Sequence, residues 1–466
     1  MMARLDRRHF LRDALAYAGG AVLAPSLAGL VACNDAGRDG RAGGTGLLRR
    51  AAAGEGGYGA LAEHPAYPEI SIPTGFHALR VGRSGDTMSD GTVLRNAFDG
   101  MGAFGMGGDR VRLVRNHELR DAAGAYAPLD PASAYDATAN AGTTTVELAV
   151  RADGAVELVR HFVSLSGTHA NCAGGTTPWG SWLTCEETVS GANVGFRQPH
   201  GYVFEVPAAA DGPVAPVPLR DMGRFVHEAV AVDPATGIVY ETEDRAAAGF
   251  YRFLPNVRGQ LAAGGRLQML AVAGAPNHDT RRGQRIGRRL ACTWVDIERP
   301  DSDAPTLDAT FVFDQGHAAG GALFARLEGC RWDDDSVYIV ATSGGDAGVG
   351  QIFRYVPTPA GGELTLIFES PSRDVLNMPD NVTVSPRGGI VLCEDGEGTN
   401  YVRGITRGGA VFDVVRNDVN DSEWAGACWA PQGRTLFVNL QGGTVQGSSI
   451  WGATYAIWGP WESGAL

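Results

Sequence analysis

The sequence predicts an all-β protein, folded as a β-propeller of about six blades. The first observation is composition: 66 Gly and 24 Pro among 466 residues indicate many tight turns. The second is patterning, because from Tyr67 onward short apolar runs alternate with Gly, Pro and Asp turns, and no long stretch has a 3.6-residue period. The third is a hairpin that recurs along the chain, which is typical of propeller blades.

The recurring hairpin is clearest from Cys172, through the turn at Pro178, to Glu187. Three further copies keep a spacing of 15 residues between the first and last position. These four pairs of positions are Cys172 and Glu187, Glu228 and Glu243, Glu328 and Ser343, and Asp380 and Asp395. A fifth copy at 425–440 has no such residues, although Glu423 precedes it, and the strand 110–118 is typical of the second half of another copy.

The paired positions predict a metal site. The first and last residues of an antiparallel hairpin lie opposite each other, so inner hairpins of successive blades would bring these side chains to one mouth of the central channel. Converging carboxylates repel each other and are costly to bury unless cations join them. The alternative is that exposed blade turns simply favour acids. It explains 333–335, but not acids in register at both ends of buried strands.

The residue types suggest which metals would bind. Carboxylate oxygens alone favour calcium or magnesium, whereas a thiolate such as Cys172 suits iron or zinc, so a mixed cluster is expected. Such a cluster can polarise a phosphoryl group. Arg326, two residues before Glu328, would face the same mouth and could clamp a phosphate. An ion pair between Arg326 and the neighbouring ligands is an equal alternative.

Charge and cysteine usage restrict the function further. A net charge of -13 argues against a nucleic-acid surface, and with no Lys in the chain, Arg is the only strongly cationic side chain. The seven cysteines are too scattered for a disulfide framework, and a Cys172–Cys185 bridge is less favoured than a buried or metal-bound role. His117 and His227 each precede an acidic residue, so strand alternation would point them away from the site.

The N-terminal segment predicts export. Residues 1–33 combine Arg7 and Arg8 with a following apolar stretch, the pattern of a twin-arginine signal peptide. Residues 30–33 resemble a lipobox, in which Cys33 would be lipidated and would anchor the protein on a membrane; simple cleavage is the alternative. Residues 34–66 indicate a flexible tether, and 67–466 the propeller domain. The expected location is periplasmic or extracellular.

The chain resembles the PhoX-type alkaline phosphatases. The resemblance covers the chain from about residue 67 to the end, and a twin-arginine signal is also usual in this family. The motifs that carry it are 115–118, 172–187, 223–228, 326–328, 379–381, 394–396, 423–426 and 437–441. Of these, the motif at 172–187 is the most specific.

The resemblance implies a monomeric propeller that hydrolyses phosphate monoesters at an iron and calcium cluster, by direct attack of a cluster oxygen on phosphorus. It implies iron-side ligands, calcium-side ligands and a phosphate-binding arginine, namely Cys172, Glu187, Glu228 and Asp395 for iron, Glu118, Glu328, Asp380 and Glu423 for calcium, and Arg326. Where the family can use a Lys against phosphate, Arg434 is a candidate substitute. The chain is short for this family, which leaves substrate preference open.

Two other functions remain open from the sequence. One is a calcium-dependent propeller hydrolase that acts on a phosphodiester or a lactone. The other is a non-catalytic surface protein that keeps the metal site for stability. The number of blades also has alternatives, because the 100 residues from Glu228 to Glu328 could hold an extra blade or an insertion. Five and seven blades therefore remain possible.

Overall fold

A computed structural model describes residues 57–302 and 308–466 of the chain. Within them lie 26 strands and one α-helix, α1 (Phe311–Ala318). The strands are β1 (Leu61–His64), β2 (Tyr67–Pro73), β3 (His77–Arg83), β4 (Phe98–Gly105), β5 (Arg110–His117), β6 (Ala141–Val150), β7 (Val156–Thr168), β8 (Asn171–Thr176), β9 (Ser181–Glu186), β10 (Val203–Pro207), β11 (His227–Val232), β12 (Val239–Glu243), β13 (Phe250–Pro255), β14 (Gly265–Val272), β15 (Arg289–Asp296), β16 (Leu327–Asp333), β17 (Ser336–Ala341), β18 (Gln351–Thr358), β19 (Gly361–Glu369), β20 (Pro379–Val384), β21 (Ile390–Glu394), β22 (Tyr401–Ile405), β23 (Val411–Asn417), β24 (Trp424–Trp429), β25 (Thr435–Leu440) and β26 (Ala453–Trp458). Short 3-10 helices occupy Ala192–Val194, Arg220–Met222, Leu261–Ala263 and Trp461–Ser463.

Six antiparallel blades surround a central channel. Their innermost strands are β4, β8, β11, β16, β20 and β24, and each packs against the next, with β24 returning to β4 to close the ring. The predicted all-β propeller and its six blades are thus confirmed. The interval from Glu228 to Glu328 holds the rest of one blade and an added strand, β15, which pairs with β14 and β19 and joins two blades at their outer edges.

The N-terminal strands complete two blades that the C-terminal part of the chain begins. Strand β3 pairs with β26 as the outermost strand of the last blade, and β2 pairs with β23 of the preceding one. Both ends of the domain are therefore held in the same pair of neighbouring sheets. This arrangement closes the ring without a covalent link, because backbone hydrogen bonds join the two ends.

The folded domain begins earlier than the predicted boundary at residue 67. Strand β1 pairs with β2, and the Tyr58 hydroxyl donates hydrogen bonds to the carbonyl oxygens of Trp461 (3.1 Å) and Leu466 (3.2 Å). The predicted tether at 34–66 is therefore wrong for its last ten residues, 57–66. The sequence gives little signal there because β1 is a short edge strand without apolar alternation.

The predicted export signal, the lipidation of Cys33 and the rest of the tether lie outside the described residues. Across residues 57–302 and 308–466, no helix has the length and apolar character needed to span a membrane.

Small residues let neighbouring inner strands approach closely. A Cβ atom on Gly100 would lie 2.5 Å from the Cα of Ala173 on the next inner strand, and one on Gly329 would lie 2.5 Å from the carbonyl oxygen of Asp380. Side chains at these positions would force the blades apart. The narrow inner ring that results brings the starts of all six inner strands together at one mouth of the channel, which we call the upper mouth.

Candidate metal centre

A β-bulge interrupts every inner strand near its start. In each case the pairing with the second strand of the blade skips two residues, as between Asn171 and Gly174 in β8. A bulge re-aims the side chains of its unpaired residues. The first unpaired residues of the six strands are Asp99, Cys172, Glu228, Glu328, Asp380 and Gly426. Five of the six blades therefore present a thiol or a carboxylate at the upper mouth.

A second set of polar residues follows the second strand of each blade. Because the hairpins are antiparallel, the end of the second strand lies beside the start of the inner one. The six residues in this position are Glu118, Glu187, Asp244, Thr342, Asp395 and Gln441. Together with Glu423, which directly precedes β24, the two sets place all eight predicted ligands at the same mouth.

The last blade explains why the fifth copy of the hairpin has no ligand on its inner strand. Gly426 occupies the ring position with a φ of 61°, and a Cβ there would clash with the carbonyl oxygen of Asp99. Only glycine fits this close approach. In this blade the carboxylate at the mouth belongs instead to Glu423, which lies just before the inner strand.

The predicted pairings of Glu228 with Glu243 and of Glu328 with Ser343 are wrong by one residue. Glu243 pairs with His227, and its buried carboxylate accepts hydrogen bonds from the Gly249 amide (2.9 Å) and the Tyr251 hydroxyl (2.8 Å). The residue at the mouth is Asp244. The hairpin that starts at Glu228 is one residue longer than that at Cys172, so a fixed spacing misplaces its end.

For the hairpin that starts at Glu328 the error has the opposite sign. This hairpin is one residue shorter than that at Cys172, and its end at the mouth is Thr342 instead of Ser343. The Thr342 hydroxyl donates a 2.6 Å hydrogen bond to the carbonyl oxygen of Pro379 on the next inner strand. This blade therefore supplies one carboxylate and a structural hydroxyl.

Asp99 was missed by the sequence reasoning. It is fully buried, and the Gln441 side-chain amide donates to it (2.9 Å) and to Glu118 (2.8 Å). Its hairpin has a longer turn, so the spacing to Glu118 differs from the other copies. The sequence does contain a signal for Asp99: Gly or Ala follows most of the first unpaired bulge residues, and Gly100 follows Asp99.

The candidate ligand atoms form three groups in which all atoms lie within 4.8 Å of one another. The groups are Glu118, Cys172 and Glu187; Asp99, Glu118 and Glu423; and Glu228, Glu328 and Asp380. The groups are contiguous, because Glu118 belongs to two of them and the Cys172 Sγ lies 3.4 Å from Oε1 of Glu228 in the third. Asp395 is in none of these groups; burial and then the nearby Asp395 carboxylate raise the pKa of Glu423 well above its usual value.

The electrostatics of the site indicate missing positive charge. Burial, with the nearby carboxylates of Glu118 and Asp380, raises the pKa of Asp99 well above its usual value. Burial likewise raises the pKa of Glu228, helped by Asp380, and raises the pKa of Asp380 itself to about 7. Oε2 of Glu228 is buried and has no hydrogen-bond partner. Oxygen and sulfur donors with unmet bonding capacity are what a bound metal cluster would satisfy.

Two arginines border this acidic cluster. Arg326 makes a bidentate ion pair with Asp244, at 2.9 and 3.0 Å, and a 2.6 Å contact with Glu328. Arg120, which sequence reasoning missed, contacts Glu118 and Glu187. Both side chains remain partly exposed, at 30% and 35%, so each also faces the solvent at the mouth. The ion pair considered as an alternative role for Arg326 is present.

The backbone before the inner strands helps to aim these groups. Four of the residues that directly precede an inner strand have a left-handed conformation without being glycine, with φ of 55°, 51°, 44° and 50° at Ala97, Ala170, Arg326 and Met378. Such conformations cost of order 1–3 kcal/mol each and concentrate at functional sites. At Arg326 the left-handed turn sets the direction in which the guanidinium leaves the backbone.

Arg434 is wrong as a substitute for a phosphate-binding Lys. Arg434 directly precedes β25 and lies in the turn from β24, at the opposite end of the blade from the upper mouth. Its guanidinium donates a hydrogen bond to the carbonyl oxygen of Ala152. Hairpin geometry places that turn a full strand length from the ligands. A cation at the mouth is instead supplied by Arg120.

The two histidines point away from the mouth, as strand alternation predicts. Both ring nitrogens of His117 are bonded, to the carbonyl oxygen of Asn96 (3.0 Å) and to the hydroxyl of Thr144 (2.9 Å). His227 hydrogen-bonds to the carbonyl oxygen of Gly223 (3.0 Å) and packs on Phe225. Both are therefore packing residues that support the strand ends.

The described cysteines are all free and buried, so the alternative Cys172–Cys185 bridge does not form. The thiol of Cys172 remains available to the cluster, where burial and the surrounding carboxylates, with Asp99 and Glu228 contributing most, raise its pKa. A metal ion would reverse this effect and favour the thiolate.

The fold and site together define a six-bladed β-propeller with an acidic, thiol-containing cluster at one mouth of its channel, whose side chains could hold metal ions. Residues 56–443 match the family model described as alkaline phosphatase PhoX. The chain belongs to the PhoX alkaline phosphatase family, which confirms the family and the phosphatase class predicted from the sequence.

Comparison with solved structures agrees with the fold. The chain is similar to Pseudomonas fluorescens PhoX in complex with vanadate, a transition state analogue, at 18% identity, with a TM-score of 0.64 over 90% of this chain and 99% of that one. More distant matches include a gluconolactonase from Xanthomonas campestris (14% identity, 82% and 100% covered, TM-score 0.37) and virginiamycin B lyase from Staphylococcus aureus (11% identity, 81% and 99% covered, TM-score 0.35). No curated protein sequence matches the chain.

Proposed function

We propose that the protein is an exported phosphatase that hydrolyses small phosphate monoesters at a mixed iron and calcium cluster on the propeller axis. The observation that carries the proposal is the ring of bulge residues, in which five of six blades present a carboxylate or a thiol at the upper mouth. Membership of the PhoX family supplies the reaction class.

The composition of the three ligand groups supports this choice of metals. One group contains the Cys172 thiol with two carboxylates, a donor set that suits iron better than calcium. The other two groups contain carboxylates only, the ligands that calcium prefers. When bound, the metal ions supply Lewis-acid polarisation of the phosphoryl group and neutralise charge that develops on it.

Arg326 and Arg120 would bind and orient the phosphate. Each guanidinium is a planar fork of five N–H donors, and the contacts with neighbouring residues leave at least one donor on each for a phosphate at the mouth. Ion pairs with Asp244, Glu118 and Glu187 hold both guanidinium groups in place before substrate arrives. Because less rotational freedom is then lost on binding, both forks are preorganised for the transferring group.

The ligands themselves are held by the protein at several points. The Gln441 amide positions Asp99 and Glu118, and the Asn381 amide donates to Asp380 (2.8 Å). Such hydrogen bonds fix carboxylates in the orientation that a metal requires. Their loss is expected to weaken metal binding without removing a ligand.

We also propose export by the twin-arginine route, with anchorage through a lipid on Cys33. Arg7 and Arg8 ahead of a weakly apolar segment, and the lipobox-like residues 30–33, support this. Radiolabelled palmitate incorporated into the wild type and absent from Cys33→Ala would test the anchor. Labelling that survives the substitution would contradict it.

A panel of chromogenic substrates tests the reaction class. Metal-loaded protein should hydrolyse a phosphomonoester such as p-nitrophenyl phosphate, and should prefer it over a bis(p-nitrophenyl) diester and over a lactone. A preference for the diester or the lactone would favour the calcium-dependent hydrolase, and turnover of none by protein with a full metal content would leave a binding protein.

A further inference from the structure

Below the ring formed by the first unpaired bulge residues of the inner strands, the ring ligands, the central channel widens into a cavity of about 250 Å³. Its upper wall is formed by the residues that directly follow the ring ligands, namely Gly100, Ala173, Ala229, Gly329 and Asn381. Four of these five residues are Gly or Ala, so the space directly beneath the cluster stays open. The cavity also touches the exposed turn residues Pro178 and Pro234 and therefore reaches solvent at the lower mouth, opposite the metal centre.

One cation projects into this cavity. Among the described residues that line it, Arg331 is the only charged one. Its Nη1 lies 3.5 Å from the hydroxyl of Thr176 on β8, two places away from β16 in the ring of inner strands. The Arg331 side chain therefore extends across the channel instead of lying along its own blade.

The guanidinium of Arg331 has no carboxylate partner within 4.0 Å in the described part of the chain. In this respect Arg331 differs from Arg120 and Arg326, each of which makes ion pairs at the upper mouth. Burial lowers the pKa of Arg331, and the longer-range influence of Cys428 and Asp333 offsets this only in part. A guanidinium carries five N–H donors, and among the described residues only the Thr176 hydroxyl accepts a hydrogen bond from this partly exposed side chain.

The acidic ligands above do not fill this need. Arg331 follows the ring ligand Glu328 by three residues on the same strand, a separation of roughly 10 Å at the rise of a β-strand. In the described part of the chain, no hydrogen bond or ion pair joins the Arg331 guanidinium to the carboxylates of the cluster. An anionic partner for Arg331 would therefore bind in the cavity itself.

We propose that this cavity is a second oxyanion site, in which Arg331 binds a small tetrahedral anion such as inorganic phosphate taken from bulk solvent through the lower mouth. The hydroxyls of Thr176 and Thr383, which also line the cavity, can complete the coordination. The volume equals about eight water molecules at ~30 Å³ each, enough for the anion and part of its hydration. The site is separate from the catalytic centre and goes beyond the proposed function.

Isothermal titration of the full-length, metal-loaded protein with inorganic phosphate tests the proposal. The wild type should bind one more equivalent of phosphate than Arg331→Met, whatever number the metal centre itself binds. Hydrolysis of a phosphomonoester should not change in this variant. Arg285→Gln, which removes an exposed arginine, should bind as many equivalents as the wild type.

Equal stoichiometry in the wild type and a folded Arg331→Met would overturn the proposal. So would a variant that loses metal ions or stability while its phosphate stoichiometry stays the same, because Arg331 would then serve only to offset the acidic ring. If Arg331→Met does not fold, Thr176→Val and a wild-type crystal soaked in arsenate replace it. Anomalous density at Arg331 is expected, and its absence at saturating arsenate would contradict the proposal.

Discussion

The thiol of Cys172 lies 3.4 Å from the carboxylate of Glu228, and both are the first bulge residue of neighbouring inner strands. A fixed backbone device thus presents a soft donor in one blade and a hard donor in the next. The mixed character of the proposed cluster follows from a change of side chain at one repeated position.

Replacing Cys172 by Ser should remove iron and spare calcium. The substitution exchanges a soft sulfur donor for a hydroxyl, which is a hard and weak ligand. The two ligand groups that consist only of carboxylates are unchanged. Elemental analysis of purified protein should show iron falling at least tenfold and calcium falling little. Cys185→Ser, which alters another fully buried thiol, should keep both metals. Iron retained in Cys172→Ser would contradict the assignment.

Arg326→Gln and Arg120→Gln should each impair catalysis. A charge-assisted hydrogen bond contributes about 1.5–3 kcal/mol, so kcat/KM for a phosphomonoester should fall roughly 10- to 100-fold per substitution. Arg434→Gln, on the opposite face, should be silent. Steady-state kinetics decide this, together with the Ki of vanadate, which should rise in the first two variants alone. An effect at Arg434 as large as at Arg326 would disprove the assignment.

Asp244 and Glu243 are adjacent, but they should respond differently to loss of charge. Asp244→Asn removes the bidentate partner of Arg326, so activity should fall while the free energy of unfolding changes little. Glu243→Gln lies in the core, where burial raises the pKa of Glu243 to about 7, so it should leave metal content unchanged. Metal analysis and activity of both variants test the corrected register; the reverse pattern would restore the one predicted from the sequence.

His200 should make stability depend on pH. Its Nδ1 lies 2.6 Å from Glu186 and its Nε2 3.5 Å from Asp136, with all three side chains buried. Although burial lowers it, these carboxylates raise the pKa of His200 to about 9 in the folded protein. The stabilising charge is therefore fully present below about pH 6.5, the unfolded value, and is lost as the pH rises through 9.

The difference in unfolding free energy between the wild type and His200→Asn should therefore shrink by up to roughly 3 kcal/mol from pH 6 to pH 10. Urea denaturation of both proteins at the two pH values measures it. Glu186→Gln, which removes the closer of the two carboxylates, should reduce this pH dependence. A difference that is constant across this range would show that folding does not raise the pKa of His200.

Much of the fold and most of the site could be predicted from the sequence, because both derive from one repeated hairpin. Turn spacing and alternating apolar runs are local signals, and they sufficed for the propeller and for Cys172, Glu228, Glu328 and Asp380. What failed was register. One residue more or less in a hairpin moved Glu243 into the core and Asp244 to the mouth, and a longer turn hid Asp99.

Contacts between distant parts of the chain could not be predicted in this way. The role of Arg120 depends on its distance from Glu187, and that of Arg331 on reaching Thr176 across the channel. Likewise Arg434 was a plausible cation by residue type, and only its place in the β24–β25 turn excludes it. Periodicity identifies which residues repeat, whereas packing decides which of them meet.

The proposed iron and calcium cluster is tested most directly by the phosphomonoesterase activity of one preparation before and after metal removal. We expect turnover of p-nitrophenyl phosphate to be lost on chelation, to remain below a tenth of the original with iron or calcium alone, and to return when both are restored. Full activity in protein that elemental analysis shows to be free of iron, or no activity in protein that holds both metals, would contradict a mixed cluster as the catalytic centre.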